Sequence, residues 1–246
     1  MALSKAAWSE LGLTPRWQRR GIAAGANEAE AKTAAPEVRG DVPAVVPALH
    51  SALPSEMVTL DWSGLQAAVR QCTRCALHET RTQGVLGVGD LKADWLIIGE
   101  APGADEDRLG EPFVGQAGKL LDAMLAGIGL KRGEGVYIAN VLKSRPPGNR
   151  DPQPEEVAAC APYLERQIAL IQPRIILALG RFAAQTLLLT ETPIGRLRGK
   201  VHTYRGVPLV VTYHPAYLLR NPADKAKVWE DLRLAVRTMT AAGQAQ

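Results

Sequence analysis

Three cysteines have the most specific spacing among the residues of this 246-residue chain that could do chemistry. Cys72 and Cys75 form a Cys-x-x-Cys pair, and Cys160 follows far downstream. Thiolates in this arrangement suit zinc, an iron–sulfur cluster or a redox-active dithiol. A thioredoxin-like dithiol is disfavoured because the pair precedes the first predicted strand instead of following one. Three thiols are one ligand short of a closed zinc site, so the pattern indicates metal or cluster binding without selecting between them.

A Gly/Pro-rich loop over residues 99–118 combines carboxylates with an isolated aromatic ring. Glu100 and Glu106 could supply a general base or orient a water molecule, or they could form only a solvated face. Phe113 is one of two phenylalanines in the chain and lies outside any apolar period. Its ring could stack on a planar ligand or anchor the loop in the core.

Two further loops begin where apolar runs end. Asn140 ends one run, and a buried Asn must satisfy its donor and acceptor together, which a pyrimidine edge or neighbouring backbone could do. His214 directly follows another run and could be catalytic or structural. Behind it, Leu218 and Leu219 lie between polar turn residues and beside Arg220. An apolar wedge of this kind can fill a gap between stacked bases.

The elements that must position these loops alternate between strands and helices. Short apolar runs at 95–99, 136–142, 174–179 and 207–212 predict four buried strands, and residues 201–204 could pair with the last as a hairpin. Helical spacing of apolar residues separates them. This order predicts a mostly parallel sheet with helices on both faces. Ligands of such folds bind at the carboxyl ends of the strands, where loops 99–118, 140–153 and 212–222 lie.

Composition and charge limit the class of protein. Hydrophobic residues make up 46% and charged residues 22%, as in ordinary soluble proteins. No apolar run approaches the roughly 20 residues of a membrane span, and charges interrupt the N-terminus, so a cytoplasmic protein is expected. The net charge of +4 permits a polyanionic partner without requiring one. Residues 1–58 predict a disordered tail and linker, with one short helix as the alternative for 1–20, and residues 59–246 the folded domain.

Together these motifs resemble the iron–sulfur (family 4) uracil-DNA glycosylases over about residues 65–239. The matching stretches are Cys72-x-x-Cys75, Gly99-Glu100-Ala101-Pro102-Gly103, Pro112-Phe113-Val114-Gly115, the segment 140–150, Cys160, and the segment 214–222. The resemblance implies a three-layer α/β/α fold around a four-stranded, mainly parallel sheet. It also implies that the protein flips uracil out of DNA and hydrolyses its N-glycosidic bond.

The resemblance also assigns roles around the flipped base. Phe113 is expected to stack on uracil, Asn140 to read its N3–H and O4 edge, and Glu100 and Ala101 to lie beside it. Because Ala101 stands where a water-activating aspartate could be, such an aspartate is excluded at that position.

Further roles follow for the reaction and for DNA. His214 is expected to donate a hydrogen bond to uracil O2 as negative charge grows there. Glu106 and Asn149 match residues that position or activate the attacking water. Leu218 or Leu219, flanked by Arg220, is expected to fill the space that the flipped base leaves.

The family's [4Fe–4S] cluster is held by four cysteines, and this chain matches only three of them. Cys72, Cys75 and Cys160 correspond to three ligands, whereas Ser144 stands at the fourth position. A serine oxygen ligand, a three-iron cluster and loss of the cluster are all compatible with the sequence. A cluster here would be structural, because hydrolysis needs no electron transfer.

Other functions compete with this assignment. A glycosylase of another base, such as hypoxanthine, is the first alternative. The uracil-crosslinking relatives are disfavoured because segment 195–200 lacks their histidine. A non-catalytic DNA-binding module is disfavoured because the expected pocket residues are all present. The expected partner is uracil-containing DNA, the expected state is a monomer, and the N-terminal tail could bind a protein partner.

Overall fold

The computed structural model describes residues 55–244, so residues 1–54 of the predicted tail (1–58) lie outside the described part. The described part begins with a helical turn, α1 (Ser55–Val58), slightly before the expected start of the domain. Met57 of this turn is buried in a small cluster with Leu65, Val69 and Tyr163. The chain therefore already packs on the domain at Met57.

A six-stranded sheet forms the centre of the described domain. The strands are β1 (Val88–Gly89), β2 (Trp95–Gly99), β3 (Val136–Asn140), β4 (Ile175–Leu179), β5 (Val201–Tyr204) and β6 (Val207–Thr212). Their order across the sheet is β1-β3-β2-β4-β6-β5. The four inner strands are parallel, which confirms the predicted mostly parallel sheet.

The predicted count of four strands is wrong, because an antiparallel strand is added at each edge. β5 pairs with β6 as the hairpin that the sequence suggested. β1 has only two residues, one of them a glycine at φ 135°, so it carries no apolar period that a sequence pattern could detect.

Helices cover both faces of the sheet, as predicted. They are α2 (Trp62–Arg70), α3 (Ala104–Leu109), α4 (Gln116–Gly127), α5 (Pro154–Ile171), α6 (Gly180–Leu188), α7 (Ile194–Leu197), α8 (Pro215–Arg220) and α9 (Lys225–Gln244). Side chains of α5 and α6 pack on one face of the sheet, and those of α4 and α9 pack on the other. The three-layer α/β/α architecture is confirmed. None of the helices in the described range is long and apolar enough to span a bilayer.

Strand register decides which residues meet at the carboxyl edge of the sheet. Gly99 at the end of β2 lies opposite Asn140 at the end of β3. Leu179 at the end of β4 lies opposite Thr212, two residues before His214. Because parallel neighbours end at the same edge, the loops that follow them converge there.

Candidate active site

The converging loops enclose a cleft of about 860 Å³ at the carboxyl edge of the sheet. Most of the predicted site residues line it: Glu100, Ala101, Glu106, Phe113, Asn140, Asn149, His214 and Arg220. Leu218 and Leu219 are not among the lining residues, and neither are the three cysteines. The two leucines and the three cysteines therefore do not belong to the cleft.

The floor of the cleft brings Asn140 and Phe113 together over a glycine. A Cβ at Gly99 would come within 2.4 Å of Asn140 Oδ1 and 2.5 Å of Phe113 Cζ, so both side chains approach this backbone more closely than any other residue would allow. Asn140 is 2% exposed, and its Oδ1 accepts no hydrogen bond from the described residues. A buried acceptor without a donor costs roughly 1–3 kcal/mol, so this atom is poised for a ligand N–H.

The backbone of Phe113 adopts a conformation that non-glycine residues rarely take. Its φ is 55°, which costs of order 1–3 kcal/mol and persists only where the surroundings impose it. The Phe113 ring lies 5.4 Å, centroid to centroid, from the His214 ring, with the planes inclined by 31°. Phe113 therefore neighbours both Asn140 and His214 in one cleft.

The side chain of His214 is fixed in one tautomer. The main-chain N–H of Ala216 donates to His214 Nδ1 at 3.2 Å, which makes His214 the N-cap of α8. With Nδ1 as acceptor, the neutral ring carries its proton on Nε2. Burial, helped by the positive charge of Arg220, lowers the pKa of His214 to about 4, against the opposing effect of Glu106. His214 is therefore a neutral hydrogen-bond donor at physiological pH.

Two glutamates enter the cleft with different surroundings. Glu106 accepts main-chain N–H groups from Gly103 at 3.0 Å, Val114 at 2.9 Å and Gly115 at 3.2 Å, so its carboxylate ties the two halves of the first loop together. Glu100 is half-buried, and burial together with the charge of Asp151 raises its pKa to about 7.

Asn149 also lines the cleft, and its backbone has a φ of 55°. Its Oδ1 accepts from Arg145 Nε at 2.8 Å, and the residue is exposed. Its amide nitrogen remains the group it can present to a water or to substrate.

The comparisons with known proteins agree with this geometry. The model of the uracil DNA glycosylase superfamily matches residues 86–233. The chain is 50% identical over 173 residues to the type-4 uracil-DNA glycosylase of Archaeoglobus fulgidus, which covers 67% of this chain and 86% of that protein. It is 43% identical to the type-4 enzyme of Pyrobaculum aerophilum over 71% of this chain and 93% of that one. For the type-4 enzyme of Thermotoga maritima the identity is 44%, over 68% and 88%. The chain belongs to the type-4, iron–sulfur family of uracil-DNA glycosylases.

The two candidate wedge leucines of this type-4 chain differ sharply in exposure. Leu219 is 49% exposed at the surface of α8, whereas Leu218 is 1% exposed in the core against α4 and α9. Leu218 therefore does not fit the predicted role in DNA, because consecutive residues of a helix point about 100° apart and only one of the two can face outward. Leu219 remains the candidate.

The cysteines lie beneath the loop that follows β3, away from the cleft. The main-chain N–H of Lys143 donates to Cys160 Sγ at 3.4 Å, and the next residue is Ser144. Burial, with smaller contributions from Cys75 and Cys72, raises the pKa of Cys160 to about 11, against the opposing effect of Lys143. The three thiols and Ser144 thus belong to one region of the protein.

This donor set has three thiols and a serine hydroxyl where a four-cysteine site has its fourth thiol. Among residues 55–244 no three His, Cys, Asp or Glu side chains are close enough to hold a single metal ion. A four-iron cluster binds each cysteine at a different iron, so its ligands stand further apart. Ser144 Oγ accepts from Arg81 Nη1 at 2.6 Å, so a guanidinium already occupies one side of the fourth donor.

Several cleft residues were missed by the sequence analysis. Arg181 and Phe182 line the cleft after Gly180, with the Arg181 guanidinium 4.4 Å from the Phe182 ring centre. Tyr213 and Tyr217 also line it and stack with their centroids 4.9 Å apart. The sequence did offer a signal for Arg181. It follows the end of the third predicted strand, which is now β4, and ligands bind at the carboxyl ends of parallel strands.

Proposed function

We propose that this protein is a uracil-DNA glycosylase whose cleft holds one flipped uracil. The observation that carries the proposal is the buried Oδ1 of Asn140, which has no partner among the described residues and lies beside the Phe113 ring in the cleft that His214 also lines. An apolar ligand would leave that oxygen unsatisfied, whereas a uracil N3–H would donate to it.

Base selection follows from the amide of Asn140. Uracil presents an N3–H donor beside an O4 acceptor, which pair with Oδ1 and Nδ2 of the amide. Cytosine presents an N3 acceptor beside an amino donor, so the fixed amide would meet like groups. Lys143 fixes the main chain that carries this side chain, because its buried Nζ donates to the Asn140 main-chain oxygen at 2.6 Å.

His214 stabilises the leaving group in this proposal. As the glycosidic bond breaks, uracil departs as an anion with charge on O2, and the Nε2–H of a neutral imidazole faces the same pocket. A preorganised donor at such a position is worth on the order of 100-fold in rate. Since the Nδ1 of His214 is already engaged by Ala216, the ring needs no reorientation during the reaction.

The attacking water is assigned to the carboxylate side of the cleft. The Oε1 of Glu106 accepts two main-chain N–H groups, while its Oε2 accepts one and keeps a further lone pair for water. Asn149, which also lines the cleft, would complete the water site. Glu100 and Ala101 would lie beside the base.

Extrusion of the base is assigned to α8. Leu219 is the exposed apolar side chain that could enter the base stack, and Arg220 follows it at the end of the helix. DNA that contains uracil is accordingly the proposed partner.

The proposed cofactor is an iron–sulfur cluster held by Cys72, Cys75 and Cys160, with Ser144 as the oxygen donor at the fourth position. Such a cluster would cross-link the loops and would take no part in the hydrolysis. An oxygen ligand is harder than a thiolate, so we expect the absorbance near 400 nm to be weak or labile. Ser144→Cys should raise iron content and stability; unchanged iron content and unchanged stability would contradict the assignment of Ser144 as a weak ligand.

A strand-scission assay tests the activity. The protein is incubated with a labelled duplex that carries one uracil, abasic sites are cleaved with alkali, and parallel duplexes carry hypoxanthine, thymine or cytosine instead. We expect scission at uracil alone. Scission only at hypoxanthine would assign another base, and binding without scission would leave a DNA-binding module.

A further inference from the structure

The carbonyl groups of the Phe113 turn are held by an arginine that no predicted motif includes. Arg132 Nη2 donates to the Phe113 main-chain oxygen at 2.9 Å, and Nη1 donates to the Pro112 main-chain oxygen at 3.1 Å. Its Nε donates to Asp122 Oδ1 of α4 at 2.9 Å, which fixes the guanidinium plane. Arg132 thus connects the segment before β3 to the turn and to α4.

Other contacts also hold the backbone of the turn. Glu106 accepts the N–H groups of Val114 and Gly115, which follow Phe113. On the other side, a Cβ at Gly118 would lie 1.8 Å from the Phe113 main-chain oxygen, so the carbonyl packs directly on the first turn of α4. Arg132 is the cationic partner in this set and directs its donors at two successive carbonyls.

The chemistry of the contact requires a guanidinium. Two carbonyls and one carboxylate accept from three different nitrogens of one planar group, and a lysine ammonium cannot present donors in that fixed pattern. The side chain is 24% exposed, so its hydrogen bonds to the two carbonyls are partly shielded from water, whereas the one to Asp122 is exposed. Arg132 does not line the cleft and therefore touches no reacting atom.

We propose that Arg132 is a positioning residue for base stacking. Its guanidinium holds Phe113 at φ 55° and thereby sets the ring against Asn140 and His214. The inference rests on the proposed function, because the ring's partner is the flipped uracil. It adds a residue outside the cleft on which the geometry of the cleft depends.

A double-mutant cycle tests whether Arg132 acts through the Phe113 ring. Single-turnover rates are measured on single-stranded uracil DNA at saturating enzyme, which separates the chemical step from binding and from base flipping. We expect Arg132→Met to slow the native enzyme about 10-fold, equivalent to about 1.4 kcal/mol. In the Phe113→Ala background the same change should cost less than about 2-fold, because the ring that it positions is gone.

Lys131→Met is the matched control. Lys131 is the neighbouring cation, exposed and paired with Glu134 at the surface, and its loss should leave the rate within about 2-fold. Should Arg132→Met fail to fold, Arg132→Lys in the same cycle keeps a cation that can serve only part of the set, with an expected loss of about 3-fold that again vanishes without the ring.

The outcomes separate this inference from the proposed function. Equal losses from Arg132→Met with and without the Phe113 ring, in an active wild-type enzyme, would overturn the positioning role alone. A wild-type protein that gives no scission at uracil would overturn the proposed function instead.

Discussion

Gly99→Ala is the change for which the structure gives the sharpest expectation. The added Cβ would lie 2.4 Å from Asn140 Oδ1 and 2.5 Å from Phe113 Cζ. Ordinary contacts of a methyl group begin at about 3.4 Å, so each of the two side chains must move by about 1 Å. A misplacement of this size can cost on the order of 100-fold in rate, or about 2.7 kcal/mol of transition-state stabilisation.

The fold should tolerate this change better than the activity does. One extra methyl group in a packed region typically costs about 1–3 kcal/mol, less than the usual total stability of a domain. Gly195→Ala is the matched control, because nothing lies within 4 Å of a Cβ at that position. The assay compares single-turnover uracil release by both variants with their melting temperatures.

The refuting result is a Gly99→Ala enzyme with a native melting curve and a rate within about 3-fold of wild type. That outcome would mean that the amide and the ring do not need the close approach that the glycine allows, and the pocket geometry would then carry no weight in base recognition.

Three further predictions concern His214, Asn140 and α8. Because the folded pKa of His214 lies at about 4, below its usual 6.5, the unfolded chain binds more protons between these values; stability from this group is full above pH 6.5 and falls as pH drops toward 4. Its NMR titration should show no midpoint between pH 5 and 8, and a midpoint near 6.5 would contradict the buried neutral ring. Asn140→Asp replaces the amide donor by a second acceptor, so uracil scission should fall by on the order of 100-fold and scission at cytosine should become detectable in the duplex assay. Leu219→Ala should slow uracil release from duplex but not from single-stranded DNA, whereas Leu218→Ala should lower the melting temperature through a cavity worth about 2–5 kcal/mol; the reverse pattern would exchange their roles.

The ring orientation of His214 and the fixed turn of Phe113 have one physical basis. Both residues are held before substrate arrives: the Ala216 main-chain N–H donates to His214 Nδ1, and Arg132 Nη2 donates to the Phe113 main-chain oxygen. A site prepared in this way spends little free energy on reorganisation during the reaction. Variants of the supporting groups should therefore change rates more than they change DNA affinity.

Local sequence patterns predicted the inner sheet and the order of its loops. The apolar runs at 95–99 and 175–179 are buried on both faces, and a parallel strand with that burial must be apolar at successive positions. The start of α2 follows an equally local rule, because the Oδ1 of its N-cap residue Asp61 accepts the Gly64 N–H at 2.8 Å. The edge strands were harder, because β1 is too short for any periodicity.

The candidate site was only partly contained in the sequence. Residue types at strand ends indicated a pocket with Phe113, Asn140 and His214, because ligands collect where parallel strands stop. The spacing along the chain could not say that Asn140 Oδ1 lacks a donor or that Leu218 faces the core. Nor could it say that Arg132 reaches back to the Phe113 turn. These properties depend on strand register, helix rotation and contacts between distant segments, and such relations exist only once the chain is folded.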